Sequence, residues 1–136
     1  MIEPLSGDAS FRRYFRIRKT DGTTAMLMDA PPPQEDPKPF LHVAKYLVDQ
    51  GFRAPEIYGA DTANGLVLIE DFGDVRMREY LDEHPADERI IYRHAISTLA
   101  ELENAPAADL APYDAATYLR EVDLLVDWYL PAMGVA

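Results

Sequence analysis

Cysteine is absent from these 136 residues, which excludes a disulfide framework, a thiolate metal site and a cysteine nucleophile. No apolar run approaches the ~18 residues that a bilayer-spanning helix needs, and the N-terminus lacks a basic stretch followed by an apolar one. The default expectation is a cytoplasmic chain with no membrane partner. Neither G-x-x-x-x-G-K-[ST] nor G-x-G-x-x-G occurs, so a P-loop enzyme and a dinucleotide-binding fingerprint are excluded at motif level. The histidines His42, His84 and His94 fall on separate predicted elements, none at metal-ligand spacing with a second His or carboxylate. They are read as structural. Ser10 and the single Ser-Gly pair lack an identifiable base, so nucleophilic catalysis is not indicated.

Positive charge is scarce, and its scarcity is local. The formal net charge is −11. Residues 1–60 hold eight Lys and Arg against eight Asp and Glu, whereas residues 61–136 hold five against sixteen. Such an acidic chain repels a phosphate backbone, which argues against nucleic acid as a partner. Arg12, Arg13, Arg16 and Arg18 crowd into seven residues; the cluster is either a solvated strand face or an anion site.

The apolar pattern divides the chain in two. Ile2 to Leu5 reads as an edge strand, followed by the small-residue turn Ser6-Gly-Asp-Ala-Ser10. Phe11 to Arg18 alternates, with Phe11, Phe15 and Ile17 apolar and the even positions mostly arginine; Arg13 breaks the pattern on the apolar face. Thr20-Asp-Gly22 signals a hairpin into a strand from Thr23 to Asp29. Ala30 to Pro37, with three successive prolines, makes a stiff surface connection. Pro39 opens a helix carrying Phe40, Val43, Ala44, Leu47 and Val48 on one face and ending at Gly51. Glu56 to Ala60 and Leu66 to Ile69 flank the Asn64-Gly65 turn as a second hairpin. Beyond Asp74 only helices are expected. One runs from Val75 to Glu83, one is capped by Asp87, and one is capped by Asp114 with Tyr118, Val122, Leu125, Val126 and Tyr129 on one stripe. Trp128 and the tyrosines of that last helix are read as core.

Two stretches carry chemistry. Ser6 to Ser10 presents consecutive backbone amides with little side-chain bulk, as a phosphate-covering loop does, although small-residue hairpin turns are common. Leu66 to Ile69 runs straight into Glu70-Asp-Phe-Gly-Asp74. One reading makes Glu70, Asp71 and Asp74 the acidic start of a helix, with Asp74 as its N-cap. The other makes residues 70–72 an extended connector whose C=O and N–H groups pair with an adenine ring.

The order of these features resembles the N-terminal lobe of the protein-kinase-like fold, and within it the aminoglycoside phosphotransferase family. The nearest likeness is to the bacterial branch of sugar kinases acting on N-acetylmuramate and N-acetylglucosamine. Pro4-Leu-Ser-Gly-Asp-Ala-Ser-Phe-Arg-Arg-Tyr-Phe-Arg16, Met28-Asp-Ala-Pro-Pro-Pro-Gln-Glu-Asp36, Ala54-Pro-Glu-Ile57, Leu68-Ile-Glu-Asp-Phe-Gly73, Arg120-Glu-Val-Asp-Leu124 and Asp127-Trp-Tyr-Leu-Pro131 carry it, in order, along nearly the whole chain.

The resemblance implies an α+β fold: an antiparallel sheet of about five strands with one helix over residues 1–69, a hinge at 70–74, and the first helices of a C-lobe over 75–136. It implies ATP and Mg²⁺ as cofactors and an amino sugar as acceptor. Ser6, Gly7, Asp8, Ala9 and Ser10 are then expected to cover the phosphates, and Glu70, Asp71 and Phe72 to hold adenine.

Departures from the general kinase pattern accompany the likeness. The strand Ala25-Met-Leu-Met28 has no lysine and the helix Phe40 to Gln50 no glutamate, so Arg12 or Arg13 is expected to supply positive charge toward the phosphates. No His is followed at two positions by Asp, so no catalytic or metal-binding residue is expected in this chain. The chain thus looks like the nucleotide-holding part of a small-molecule kinase, inactive by itself. The alternative is a non-catalytic kinase-like interaction module that docks through the Tyr118–Tyr129 stripe.

Overall fold

The computed structural model describes residues 1–5 and 10–134. Ser6, Gly7, Asp8 and Ala9, which the resemblance expects to cover the phosphates, lie outside the described residues. Two compact units are formed, Met1–Pro106 and Ala107–Ala136.

In the first unit, β1 (Ile2–Pro4), β2 (Arg13–Arg18), β3 (Thr24–Asp29), β4 (Ile57–Asp61) and β5 (Leu66–Ile69) form one antiparallel sheet in the order β1-β2-β3-β5-β4. Helix α1 (Lys38–Asp49) sits between β3 and β4 in the chain. The expected three-stranded meander, helix and second hairpin are all present, with β1 at the edge. α1 ends as its sequence predicts: Gly51 takes φ +83°, a conformation that costs other residues energy. At Gly65 (φ +75°) glycine is required twice over, because a Cβ would lie 1.9 Å from the Ala30 carbonyl oxygen. The close approach ties the β4–β5 turn to the start of the proline segment, where the Ala30 N–H donates to the Gly65 carbonyl at 2.8 Å.

The core lies between the sheet and α1. Met26, Met28, Ala30, Val67 and Ile69 are buried together, and Leu5, Tyr14, Phe40, Leu41 and Ile57 pack against them. This corrects the expected face of β2. Tyr14 lies opposite Met28 and Arg16 opposite Met26, so the even residues share the core face. The run Phe15 and Ile17 belongs to the opposite, half-buried face. Alternation separates two faces but does not say which one a helix will cover. β2 also begins at Arg13 rather than Phe11, because Ser10 to Arg12 is a bend in which the Arg12 N–H donates to Ser10 Oγ at 3.1 Å.

Past β5 come α2 (Met77–Glu83), a 3₁₀ turn (Pro85–Asp87) and α3 (Glu88–Glu103). Asp87 stands at the N-cap position of α3, but its carboxylate accepts from the Tyr80 hydroxyl at 2.8 Å instead of capping. In the second unit, Asp114 caps α4 (Ala115–Leu124) as expected, accepting from the Thr117 N–H at 2.9 Å. The predicted single helix then widens into a π turn over Leu125–Tyr129 before the last turn Leu130–Ala132. Pro131 has no N–H for the carbonyl four residues earlier, and its ring crowds that carbonyl; widening relieves both. α2, α3 and α4 contain no buried residue, and Trp128, Tyr118 and Tyr129 are exposed rather than core.

Candidate functional site

Residues 70–74 leave β5 and are gripped from two sides. The Glu70 N–H donates to the Glu56 carbonyl at 2.9 Å, and the Glu56 N–H returns to the Glu70 carboxylate at 3.3 Å. Arg53, on the connection between α1 and β4, donates through both terminal nitrogens to that carboxylate, at 2.7 and 2.5 Å. The same guanidinium lies 4.5 Å from the centre of the Phe72 ring, a cation–π contact. Arg53, and next the Glu56 N–H, hold the Glu70 carboxyl below its usual pKa.

On the other side stands Arg16, only 6% exposed. A guanidinium on a core face is tolerated only when its charge and its N–H groups are met. Here Nε and Nη2 donate to Asp71 at 2.6 and 3.0 Å, and Nη1 and Nη2 donate to Asp74 at 2.9 and 2.8 Å. The Asp71 side chain is almost fully buried. The Arg16 hydrogen bonds, assisted by the Gly73 N–H at 2.9 Å and opposed by burial, hold its pKa down at about 2. Asp74 is lowered by the same guanidinium.

The N-cap reading of Asp74 is therefore corrected. Its carboxylate is bound to Arg16, α2 starts two residues later than expected at Met77, and Arg76 occupies the N-cap position without a side-chain cap. With all three acidic side chains engaged, the Glu70 carbonyl and the Phe72 N–H remain outside any hydrogen bond among the described residues.

Each arginine of the cluster has a carboxylate partner. Arg12 pairs with Glu35 at 3.0 Å, Arg13 with Asp29, Arg16 with the two linker aspartates, and Arg18 with Glu3 at 3.0 Å. Burial opposes the charge on Arg12, yet the Glu35 carboxylate outweighs it and the pKa is raised. Ser10 also reaches Glu35, at 3.3 Å, so Ser10, Arg12 and Glu35 form one cluster on the N-terminal side of β2. Of the expected site residues, Ser10 and Arg12 thus meet on one carboxylate, Arg13 stands at the β3 end, and Glu70 to Phe72 form a separate group on the linker. A cleft of about 630 Å³ between α1 and residues 52–57, lined by Leu41, Val48, Phe52 and Ile57, contains none of them.

Arg16 and Arg53 were not marked by the sequence pattern as site residues. Arg16 looked like one of several strand arginines; its parity with Tyr14 was the available signal. Arg53 carries no local signal, because its partners are set by the return of β5 past the α1–β4 connection.

This sheet order, with one helix and an acidic linker that leads only into helices, is the N-lobe of a kinase-like phosphotransferase fold followed by its early helices. The chain belongs to the phosphotransferase enzyme family (APH), whose profile matches residues 1–134. More particularly, it is similar to the N-acetylmuramate/N-acetylglucosamine kinase of Pseudomonas aeruginosa, at 42% identity over 129 residues, covering 93% of this chain and 37% of that protein. The enzymes of the same name from Pseudomonas putida and Neisseria meningitidis serogroup B are 39% and 34% identical, over 95% and 92% of this chain and 38% of each relative. The chain spans less than two fifths of the length of these relatives.

Proposed function

We propose that this chain is the nucleotide-holding part of an ATP-dependent phosphotransferase whose acceptor is an amino sugar such as N-acetylmuramate or N-acetylglucosamine, working in the cytoplasm. The observation that carries the reading is the linker: its side chains are all engaged, and its Glu70 carbonyl and Phe72 N–H are left over. An acceptor and a donor two residues apart on an extended strand suit the amino group and ring nitrogen of adenine.

Ser6 to Ser10 would cover the phosphates, with Arg12 and Arg13 supplying positive charge in place of a strand lysine. For either arginine this means sharing its present carboxylate partner, Glu35 or Asp29, with the nucleotide. ATP brings the transferable phosphoryl group, and Mg²⁺ neutralises its developing charge. The described residues contain no group of three or more His, Asp or Glu placed to hold a metal ion. No metal-dependent step is therefore assigned to them, and the chain alone is expected to bind ATP weakly without turnover.

Calorimetric titration of the chain with ATP tests the reading. Saturable binding, weakened several-fold by Arg12→Gln or Arg13→Gln, supports it; no binding of ATP at millimolar concentration rejects it. A second reading, a non-catalytic kinase-like interaction module, draws on the exposure of Tyr118, Val122, Leu125, Val126 and Tyr129. Sedimentation at increasing concentration separates the two, because a stable dimer without ATP binding favours the module.

A further inference from the structure

The two arginines that hold the linker do more than neutralise its acidity. Each uses its planar fork on the linker, and they do so from opposite flanks of the sheet, Arg16 from β2 and Arg53 from beside β4. Between them they engage Glu70, Asp71, the Phe72 ring and Asp74, that is, every residue of the linker with a polar or aromatic side chain. A lysine, with one compact ammonium, reproduces neither fork. A linker held at successive residues has little backbone freedom left to lose on binding a ligand, which is the condition for a preset recognition edge.

We propose that Arg53 and Arg16 are positioning residues for a purine: they hold residues 70–74 in one backbone conformation, so that the Glu70 carbonyl and the Phe72 N–H form a fixed acceptor–donor pair that prefers adenine over guanine nucleotides. The proposal rests on the reading of the chain as nucleotide-holding. Adenine offers an amino donor beside a ring-nitrogen acceptor, whereas guanine offers a carbonyl acceptor beside an N–H donor. A fixed edge therefore opposes guanine with two mismatched groups, and a loose edge adjusts to either base.

Arg53 is the better target, because its side chain is 68% exposed and its loss does not leave a buried charge. The experiment compares wild type, Arg53→Gln and Arg53→Lys on the full chain by two measurements: ¹⁵N relaxation of the residue 71–74 amides without ligand, and calorimetric binding of ATP and of GTP. Wild type is expected to show backbone order parameters of about 0.85 in the linker, falling below about 0.6 in Arg53→Gln while the β3 and β5 amides stay unchanged. ATP affinity is expected to fall about tenfold in Arg53→Gln with GTP affinity unchanged, and to recover in part in Arg53→Lys, which keeps the charge over Phe72.

An unchanged linker in Arg53→Gln overturns the proposal, and so does an unchanged ATP-to-GTP ratio when the linker has loosened. If wild type binds neither nucleotide, the function proposed above fails and the purine preference with it, while the order parameters still decide whether Arg53 holds the linker.

Discussion

Arg16, like Arg53, joins the neutral first half of the chain to its acidic second half. Because its partner Asp71 titrates at about 2, below its ordinary 3.8, the folded state binds fewer protons than the unfolded state between those values. Stability from this pair is therefore complete above about pH 4 and is lost as pH falls toward 2. Asp71→Asn is expected to melt at a lower temperature than wild type at pH 7, and the gap between the two should close as pH falls from 4 to 2. Thermal melts followed by circular dichroism at several pH values check this; a gap that stays constant across that window would show that the Asp71 carboxylate is not the group responsible. The sequence did place arginines in β2, but the ion pairs they make, 55 and 58 residues away in the case of Arg16, follow from the return of β5 beside β3.

At the scale of elements, the sheet is held by a small, fully apolar cluster and by one close backbone approach. Met28 has no exposed surface and lies between Tyr14 and Val67. Met28→Ala is expected to cost about 2–5 kcal/mol, the range for emptying a buried aliphatic site, with urea denaturation as the measurement. Gly65→Ala meets both the Ala30 carbonyl and a positive φ. It is expected to lower stability by more than about 1 kcal/mol, whereas Gly59→Ala, where a Cβ meets nothing within 4 Å, should be nearly neutral. Equal effects at the two glycines would remove the close approach as the cause.

These elements were largely legible beforehand. Asn64-Gly65, Asp21-Gly22 and Gly51 end their elements for conformational reasons that act within a few residues. What misled was orientation: Phe15, Ile17, Leu27 and Leu68 make the second face of the sheet nearly as apolar as the first, so periodicity alone could not tell which face α1 would cover. The start of α2 was missed for a related reason. Asp74 is a good N-cap by type, but a buried guanidinium competes for the same carboxylate and wins.

For the whole molecule, the buried ones among the described residues belong to the sheet, α1 and the segments joining them, all N-terminal to residue 70, while the helices beyond bury no residue fully. No helix among the described residues is long and apolar enough to cross a membrane. The boundary between the two units falls after Pro106, and the stretch from there to Asp114 contains the exposed Leu110. Brief thermolysin treatment is expected to cut there first, leaving a product that begins at Met1 and keeps the strand signal in circular dichroism. Initial cleavage inside β2, β3 or β5, read by mass spectrometry, would contradict that order of stability.

Family membership, the succession of strands and helices, the turn glycines and the position of the acidic linker were determined by the sequence itself, because each is written in neighbouring residues: alternation, turn chemistry and order along the chain. Which face of β2 is buried, that Arg16 rather than Arg12 or Arg13 reaches the linker, and that Arg53 closes on Glu70 and Phe72 were decided only by tertiary structure. Those outcomes depend on which strands become neighbours. A charged group brought onto a buried face must take its partners from whatever the fold sets beside it.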